Sequence, residues 1–301
     1  MKKFAALLLS ALLALAALSG CVTVSTGDGG SQAQEEQGAQ EEQAAAVTAK
    51  VIDIELTQEE YAYGVDKDQP ELLEKVNEMI AELNDSGTFD EICNHYFGDG
   101  TPVAVKSAEL DPSKDQLVVA TNAAFEPFEY MVGEDYYGVD MEIAQYFADQ
   151  LGLELVISNM EFAAVCLSVG EHKCDIAMAG LTVKEDRKAY VDFSTSYYNA
   201  AQKLIVLSTD TSFDDCKTAA DVEAKLAEFD SSVKVGVQNG TTGQFYMEGD
   251  EDWGFDGFNA TCVPYSNGSL AVMDMLNGNT SYVVIDSAPA KCITDAINAM
   301  R

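Results

Sequence analysis

The stretch DMEIAQYFADQLGLELVIS, Asp140 to Ser158, predicts a helix followed directly by a strand. Its apolar residues recur with the helical period up to Leu151, and Gly152 ends that pattern. The run LELVIS that follows has the length and composition of a buried strand. Another strand-like run, LVVAT at 117–121, precedes the helix. A helix between two such strands is the unit from which parallel sheets with covering helices are built.

The same alternation continues along the chain. A helix near 163–169, an apolar strand at 175–179 and a turn into 184–190 come next. The second set comprises a strand at 203–207, a helix at 218–229, a strand at 233–237, a Gly-Thr turn, a helix at 269–276 and a strand at 282–286. This rhythm predicts an α/β fold of two lobes with mainly parallel sheets covered by helices, joined near 203–209.

The charge of the chain is strongly acidic. Its 301 residues include 17 Lys plus Arg and 51 Asp plus Glu, a formal net charge of −34. Such a field repels phosphate, so nucleic acid and anionic surfaces are not expected as partners. The alternative interpretation is that the acidic residues only solvate an exposed surface.

The amino terminus has the pattern of an exported protein. Lys2 and Lys3 precede an apolar run from Phe4 to Leu18, which suits a secretion signal and is short for a membrane span. The following LSGC resembles the lipobox of bacterial lipoproteins. That resemblance implies removal of residues 1–20 and a lipid on the sulfur of Cys21, so that the protein is anchored to the extracellular face of the cell membrane. A plain signal peptide with an incidental cysteine is the alternative.

Residues 21–47 are expected to form a flexible tether. They contain few large apolar side chains and repeat AQEEQ at 33–37 and 39–43. The remaining cysteines match no zinc spacing, and no metal, cofactor or disulfide is assigned to them. They are Cys93, Cys166, Cys174, Cys216, Cys262 and Cys292.

Candidate binding residues follow the predicted strands in the first lobe. Ligands of open α/β sheets bind beyond the carboxyl ends of strands, where Asn122 and Phe125 lie, although Phe125 also suits a core. In AGLTVKEDR, Thr182 precedes a helical turn and Arg187 offers a planar pair of donors matched to a carboxylate. Alone, such an arginine is more often a solvated surface residue.

Two further candidates follow strands of the second lobe. In QNGTTGQF, Gly240 lets the backbone approach a ligand, and Thr242 adds a hydroxyl and an amide. Asp286 ends the strand YVVID and alone would be read as a helix cap. Together the candidates offer partners for an anion, a cation and a side chain, which are the three parts of a free amino acid.

In their order and spacing these segments resemble the extracellular solute-binding proteins of family 3, the amino-acid receptors of ABC importers, from Thr48 to Met300. The resemblance is to the glutamine-binding members in particular, and it implies a two-lobed type II periplasmic-binding-protein fold with a hinge between the lobes. It also implies an importer permease as the partner of a monomeric receptor that is not an enzyme and has no catalytic residues.

The resemblance also assigns roles. It implies that Arg187, helped by Thr182 and the backbone at Thr242, holds the ligand α-carboxylate, and that Asp286 and the Ala179 carbonyl take the α-ammonium. Phe125 and Phe162 would enclose the ligand side chain.

The expected side-chain pocket departs from the glutamine-binding pattern. Asn122, Gln238 and Ile285 stand where those proteins have an acid, a lysine and a histidine. The pocket therefore keeps amide groups without a fixed charge, and a polar neutral amino acid such as glutamine is predicted. Glu126 leaves a cationic ligand open.

The order of the segments is rotated relative to the family. EEYAYGVDK at 59–67 resembles the family's hinge crossing, and the helices at 68–98 resemble its closing helices, yet both precede everything else. Thr88 and Glu91 predict a capping box at the start of the second of these helices. We therefore predict a circular permutant, with 99–115 as the join. Its first lobe would comprise 59–205, and its second 48–58 plus 206–301. A gene remnant at the amino terminus is the alternative.

Two other functions stay open. A dehydratase-like enzyme would need a positioned acid or base, but His95 and His172 match no cleft position. A sensory receptor would need a separate signalling protein as its partner.

Overall fold

The computed structural model describes residues 46–251 and 254–301. The predicted signal peptide, the predicted lipid attachment at Cys21 and nearly all of the predicted tether lie outside the described residues. No helix in the described ranges combines the length and the hydropathy needed to cross a bilayer.

The described residues contain eight α-helices and fifteen strands. The helices are α1 Pro70–Ser86, α2 Thr88–Phe97, α3 Val139–Leu151, α4 Val165–Gly170, α5 Ala219–Leu226, α6 Thr242–Glu248, α7 Gly268–Leu276 and α8 Ser287–Ala299. The strands are β1 Ala49–Val51, β2 Glu59–Tyr61, β3 Gly64–Asp66, β4 Gln116–Thr121, β5 Ala124–Phe125, β6 Glu129–Val132, β7 Asp135–Tyr137, β8 Glu154–Asn159, β9 Ile176–Ala177, β10 Val191–Phe193, β11 Tyr198–Ala200, β12 Gln202–Leu207, β13 Lys234–Gln238, β14 Thr261–Tyr265 and β15 Tyr282–Asp286.

One five-stranded sheet has the order β10-β3-β9-β4-β8. Strand β4 runs parallel to β8 and β9, whereas β3 runs antiparallel to β9 and β10. We call this sheet, with α1 to α4 and the small sheet β5-β6-β7, the first lobe. Two of its four pairings are antiparallel, so the prediction of a mainly parallel sheet is wrong here. The reason is that β3 and β10 do not arrive through a helical crossover, which parallel neighbours require.

The other five-stranded sheet has the order β1-β12-β15-β13-β14. Strand β13 is parallel to β14 and β15, and β12 is antiparallel to β1 and β15. We call this sheet, with α5 to α8, the second lobe. It too is mixed rather than mainly parallel.

Two short strands connect the lobes. Strands β2 and β11 pair antiparallel, with Tyr61 opposite Tyr198 and Glu59 opposite Ala200. The segment predicted to cross the hinge thus supplies β2 of this ribbon and then β3 of the first lobe. The predicted boundary after residue 205 falls inside β12, because Gln202–Leu207 pairs within the second sheet.

The helices predicted to close the first lobe are formed there. Helix α1 buries Val76, Met79, Ile80 and Leu83 and ends at Gly87, whose φ of 79° is left-handed. Gly87 is also the residue before α2, and no side chain caps that helix. The predicted Thr88–Glu91 capping box is therefore wrong, since Thr88 already lies inside the helix.

Candidate functional site

The predicted binding residues come from loops that follow strands of both lobes. Asn122 follows β4 and Thr182 follows β9 in the first lobe, while Gln238 and Asp286 end β13 and β15 in the second. All four are buried in spite of their polar side chains. Buried polar groups are costly unless they are paired. The hydrogen-bond partners of these four residues therefore indicate which ligand groups the site between the lobes can bind.

Arg187 lies where the two lobes meet. It begins a 3₁₀ turn, is 7% exposed, and donates from Nη1 to the Thr182 carbonyl at 2.8 Å. Its Nη2 donates to the Gly240 carbonyl of the second lobe at 3.2 Å. The guanidinium carbon also lies 5.2 Å from the centroid of the Phe162 ring. The cation is thus oriented by groups from both lobes.

Hydroxyl groups next to Arg187 join the lobes as well. Thr242 Oγ1 donates to Thr182 Oγ1 at 3.1 Å, and Thr182 Oγ1 donates to Glu59 Oε2 at 2.6 Å. Gln202 donates from Nε2 to the other oxygen of Glu59 at 3.0 Å. The structure therefore brings Arg187, Thr182 and Thr242 together, as predicted, and adds Glu59 and Gln202.

Asp286 is a buried carboxyl group that accepts a hydrogen bond from Tyr61. Burial, followed by repulsion from Glu59, raises the pKa of Asp286 to about 7. Burial and a neighbouring carboxylate both destabilise the ionised form of an acid, and a cation placed next to the acid stabilises that form. Asp286 is therefore suited to an ammonium group.

Asn122 and Gln238 pair across the cleft. Asn122 donates from Nδ2 to the Met160 carbonyl at 2.6 Å, which turns its oxygen toward Gln238. Gln238 then donates from Nε2 to Asn122 Oδ1 at 3.0 Å. This orientation leaves the buried Gln238 Oε1 without a hydrogen-bond donor among the described residues. A buried oxygen of this kind favours a partner that carries N–H groups.

The predicted aromatic walls have different neighbours. Phe125 is buried and stacks on Phe128 with ring centroids 6.1 Å apart, whereas Phe162 is only partly buried and faces Arg187. Ala179 is buried next to Gly180, whose φ is 52°. A Cβ on Gly180 would lie 2.9 Å from the Phe125 ring, so only glycine fits there.

Ile285 lies apart from the pair that it was grouped with. It is buried in the core of the second lobe, where its Cδ1 would stand 2.2 Å from a Cβ added at Gly268. The expectation that Ile285 shares a polar pocket with Asn122 and Gln238 is wrong, because its side chain leaves the sheet on the side of α7 and α8.

Several buried polar residues of the site were not predicted. Glu59 and Tyr61 are two residues apart in β2 and therefore point to the same side of that strand. This spacing is the feature of the sequence that could have identified them. Asp140 accepts a hydrogen bond from the Gly180 amide at 2.9 Å and so orients the Ala179–Gly180 peptide. Burial raises the pKa of Asp140 to about 6, and burial beside Asp140 raises that of Glu129.

Two cavities border the contacts that Arg187, Thr182 and Glu59 make. One of about 330 Å³ is lined by Phe162, Arg187, Gly240 and Phe245 among others. A second of about 770 Å³ lies at the connecting ribbon and is lined by residues that include Glu59, Thr182 and Ser287. Both volumes fall within the range of small-molecule sites.

Other chemistry-bearing residues lie elsewhere in the first lobe. His172 Nδ1 is 2.7 Å from Asp66 Oδ2, and Asp68 completes a group with metal-ligand spacing. His95 Nδ1 is 3.0 Å from Glu142 Oε1, between α2 and α3. The six described cysteines are free thiols. Neither histidine has a described bond to a predicted binding residue.

The sequence matches one family model. Residues 117–282 match the bacterial extracellular solute-binding proteins, family 3. The chain is 31% identical over 131 residues to the arginine-binding extracellular protein ArtP of Bacillus subtilis, covering 44% of this chain and 47% of ArtP. It is 30% identical over 172 residues to the putative ABC transporter arginine-binding protein 2 of Escherichia coli, covering 56% of this chain and 62% of that protein. The chain thus spans about half to two thirds of these relatives.

A solved structure shows a similar fold. The ancestral amino acid-binding protein AncCDT-1, a precursor of cyclohexadienyl dehydratase, aligns with a TM-score of 0.51 at 27% identity. The alignment covers 61% of this chain and 75% of that one.

Proposed function

Because this chain belongs to family 3 of the bacterial extracellular solute-binding proteins, we propose that it is the receptor of an ABC importer and binds one free L-amino acid between its lobes. Its fold is the two-lobed type II fold of that family. The observation that carries the proposal is the position of Arg187, a nearly buried cation that bonds to both lobes. A ligand that binds such groups in both lobes favours the closed form and can thereby signal its presence.

Arg187 is the proposed partner of the ligand α-carboxylate. Two N–H groups of one guanidinium match the two oxygens of a carboxylate. Thr182 and Thr242, whose hydroxyls are 3.1 Å apart, extend the same donor surface into the second lobe. We assign the backbone amide of Thr242 to the same carboxylate, with Gly240 allowing its close approach.

Asp286 is the proposed partner of the α-ammonium group, together with the Ala179 carbonyl. The raised pKa of Asp286 comes from burial and from repulsion by Glu59, both of which a neighbouring ammonium group would offset. Asp140 fixes the peptide that carries the Ala179 carbonyl. The two acceptors belong to different lobes, so the ammonium group also favours closure.

The ligand side chain is proposed to donate hydrogen bonds. Gln238 Oε1 is buried with no hydrogen-bond donor in the part of the chain that the structure describes, and Asn122 holds Gln238 in that orientation. Glutamine supplies an N–H donor and remains our proposed ligand, with Phe125 and Phe162 as apolar walls. An arginine side chain also supplies such donors, and two of the relatives are named for arginine. Arginine is therefore the second candidate, with Glu126 as the acid proposed to pair with its side chain.

The proposed location is the extracellular face of the cell membrane. Removal of residues 1–20 and a lipid on Cys21 would anchor the protein, and the acidic segment 21–47 would give it reach toward an importer permease. We propose a monomer that exchanges its ligand with that permease.

Two other roles are separable from transport. A receptor for a signalling protein would use the same cleft. Genes for a permease and an ATPase next to the gene for this protein would indicate transport rather than signalling. A dehydratase-like enzyme is favoured by the similarity to a cyclohexadienyl dehydratase and to the structure of its precursor. Against it, His95 and His172 pair with Glu142 and Asp66 rather than with the cleft. Recovery of unchanged ligand after incubation would exclude that enzyme activity.

The rotated order is proposed to be a circular permutation. Strand β3 lies between β10 and β9 inside the first sheet, so the described residues before Leu117 contribute to the core of the first lobe. The family model begins only at residue 117, as expected if the earlier segments occur in another order. Asn298 of α8 exchanges hydrogen bonds of 2.9 and 2.8 Å with the backbone of Ala49, so these distant segments are adjacent.

A thermal-shift screen tests the proposed function. We expect the melting temperature to rise with one or two polar L-amino acids, glutamine or arginine first, and not with their D-enantiomers. At a ligand concentration of about 100 times Kd the stabilisation is about 2.7 kcal/mol, or roughly 5–10 °C for a chain of this size. If none of the common amino acids shifts the transition, the assignment to amino acids is wrong.

Binding is expected to depend on pH through Asp286. Its pKa of about 7 means that the carboxyl is protonated in the free protein below that pH, whereas the ligand ammonium requires it ionised. Binding therefore releases a proton, and affinity should fall by up to about tenfold for each pH unit below 7 while staying level above 8. Calorimetry at pH 5 to 8, in buffers of different ionisation enthalpy, measures both effects. Asp286→Asn should bind weakly with no such release, and proton release that persisted in this variant would assign the effect to another group.

A further inference from the structure

Lys184 of the first lobe lies against the second lobe. It stands between Thr182 and Arg187 in the chain, and its side chain is 4% exposed. Its Nζ is 4.6 Å from the centroid of the Phe245 ring on α6 and 2.6 Å from Oδ2 of Asp250. Asp186, on the same loop as Lys184, adds a second carboxylate at 3.4 Å. The lysine thus crosses the cleft and enters a site built by the second lobe.

Asp250 is held in place by contacts to the described residues of its loop. Its backbone exchanges hydrogen bonds of 2.8 and 3.1 Å with Phe255, and its side chain is 6% exposed. The preceding Gly249 has a φ of 99°, and a Cβ there would lie 2.7 Å from the backbone of Asp256. The loop therefore presents the Asp250 carboxylate in a fixed position toward the first lobe.

We propose that Lys184 and Asp250 form an ionic latch that sets the balance between the open and closed lobes. This rests on the proposed function, because it concerns the closure that binds the ligand. The latch involves none of the residues assigned to the ligand, so it stabilises the closed form whether or not ligand is bound. Lys184 shares its loop with Thr182 and Arg187. The ion pair between Lys184 and Asp250 therefore also brings Thr182 and Arg187 to the second lobe.

Because the Lys184–Asp250 pair is buried, it stabilises the closed form of the lobes. With both side chains less than a tenth exposed, the attraction is screened little by salt while the lobes are closed. Loss of either partner removes a buried ionic contact of 2.6 Å, which disfavours closure more than loss of a surface pair would. The expected consequence is slow ligand release.

Two variants test the latch in the full-length protein. Lys184→Met keeps the apolar stem over Phe245, and Asp250→Asn keeps the shape of the carboxylate. For each, small-angle scattering without ligand should give a larger radius of gyration than wild type. Stopped-flow measurements should show ligand dissociation faster by about tenfold or more. Because either change breaks the same contact and the double variant leaves neither charge behind, the double variant should be affected no more than the single variants, and not by the sum of their effects.

A matched control separates the latch from a general charge effect. Lys114 pairs with Glu154 at 3.0 Å within the first lobe, and Lys114→Met should leave scattering and dissociation unchanged. Scattering and dissociation rates of Lys184→Met and Asp250→Asn equal to wild type would overturn the latch. If instead no amino acid binds wild type, the proposed function fails, yet the ligand-free scattering still decides whether Lys184 and Asp250 hold the lobes together.

Discussion

Arg187→Met should yield a folded protein that no longer binds its amino acid. Methionine retains an apolar stem beside Phe162 but removes both donors from the place where the lobes meet. Loss of one partner of a buried, hydrogen-bonded charge pair costs about 2–5 kcal/mol of binding free energy. This corresponds to about 30- to 4,000-fold in the dissociation constant. Titration calorimetry with the ligand found by thermal shift measures the loss.

Lys188 provides the control for this substitution. It follows Arg187 in the same turn, but its side chain is 46% exposed and pairs with Glu185. Lys188→Met removes one positive charge at nearly the same position in the chain and should bind normally. An Arg187→Met protein with wild-type affinity would contradict the proposed carboxylate clamp. Circular dichroism of both variants checks that the fold is retained.

Local patterns were sufficient to predict most elements and the ends of strands. The helical period and Gly152 placed α3 within a residue or two of its observed bounds. Because binding loops follow strands, the positions of Asn122, Thr182, Gln238 and Asp286 could be predicted from the strands alone. Their roles could not, since a buried arginine or aspartate is recognised only once its neighbours are known.

Contacts between distant segments account for the errors. The mixed character of both sheets depends on β3 and β12, whose partners lie far away in the chain. The capping box failed at Thr88 because α1 and α2 share Gly87, which no local pattern indicated. Glu59 was read only as part of a hinge crossing, and its place beside Thr182 and Gln202 follows from the way β2 pairs with β11.

A chain lacking residues 48–98 should not fold into a stable binding protein. The deletion removes β3 from the interior of the first sheet and takes away four buried side chains of α1, namely Val76, Met79, Ile80 and Leu83. Truncating a single buried side chain of this kind costs about 2–5 kcal/mol. Four such losses come to about 8–20 kcal/mol, which is as large as the typical total stability of about 5–15 kcal/mol. Thermal unfolding should lose its cooperative transition, and no amino acid should bind.

The same residues returned at the other end of the chain should restore the protein. In this rearranged chain, residues 99–301 are followed by a short linker and residues 49–98, which is the order expected for the family and keeps the pairing of Val105 with Tyr136. The linker can be short because Asn298 and Ala49 are already hydrogen-bonded to each other. We expect a cooperative transition and ligand affinity close to those of wild type, since every element keeps its neighbours. A deletion variant that folded and bound normally would instead identify residues 48–98 as a gene remnant, because a permuted lobe cannot lose an interior strand of its sheet and remain intact.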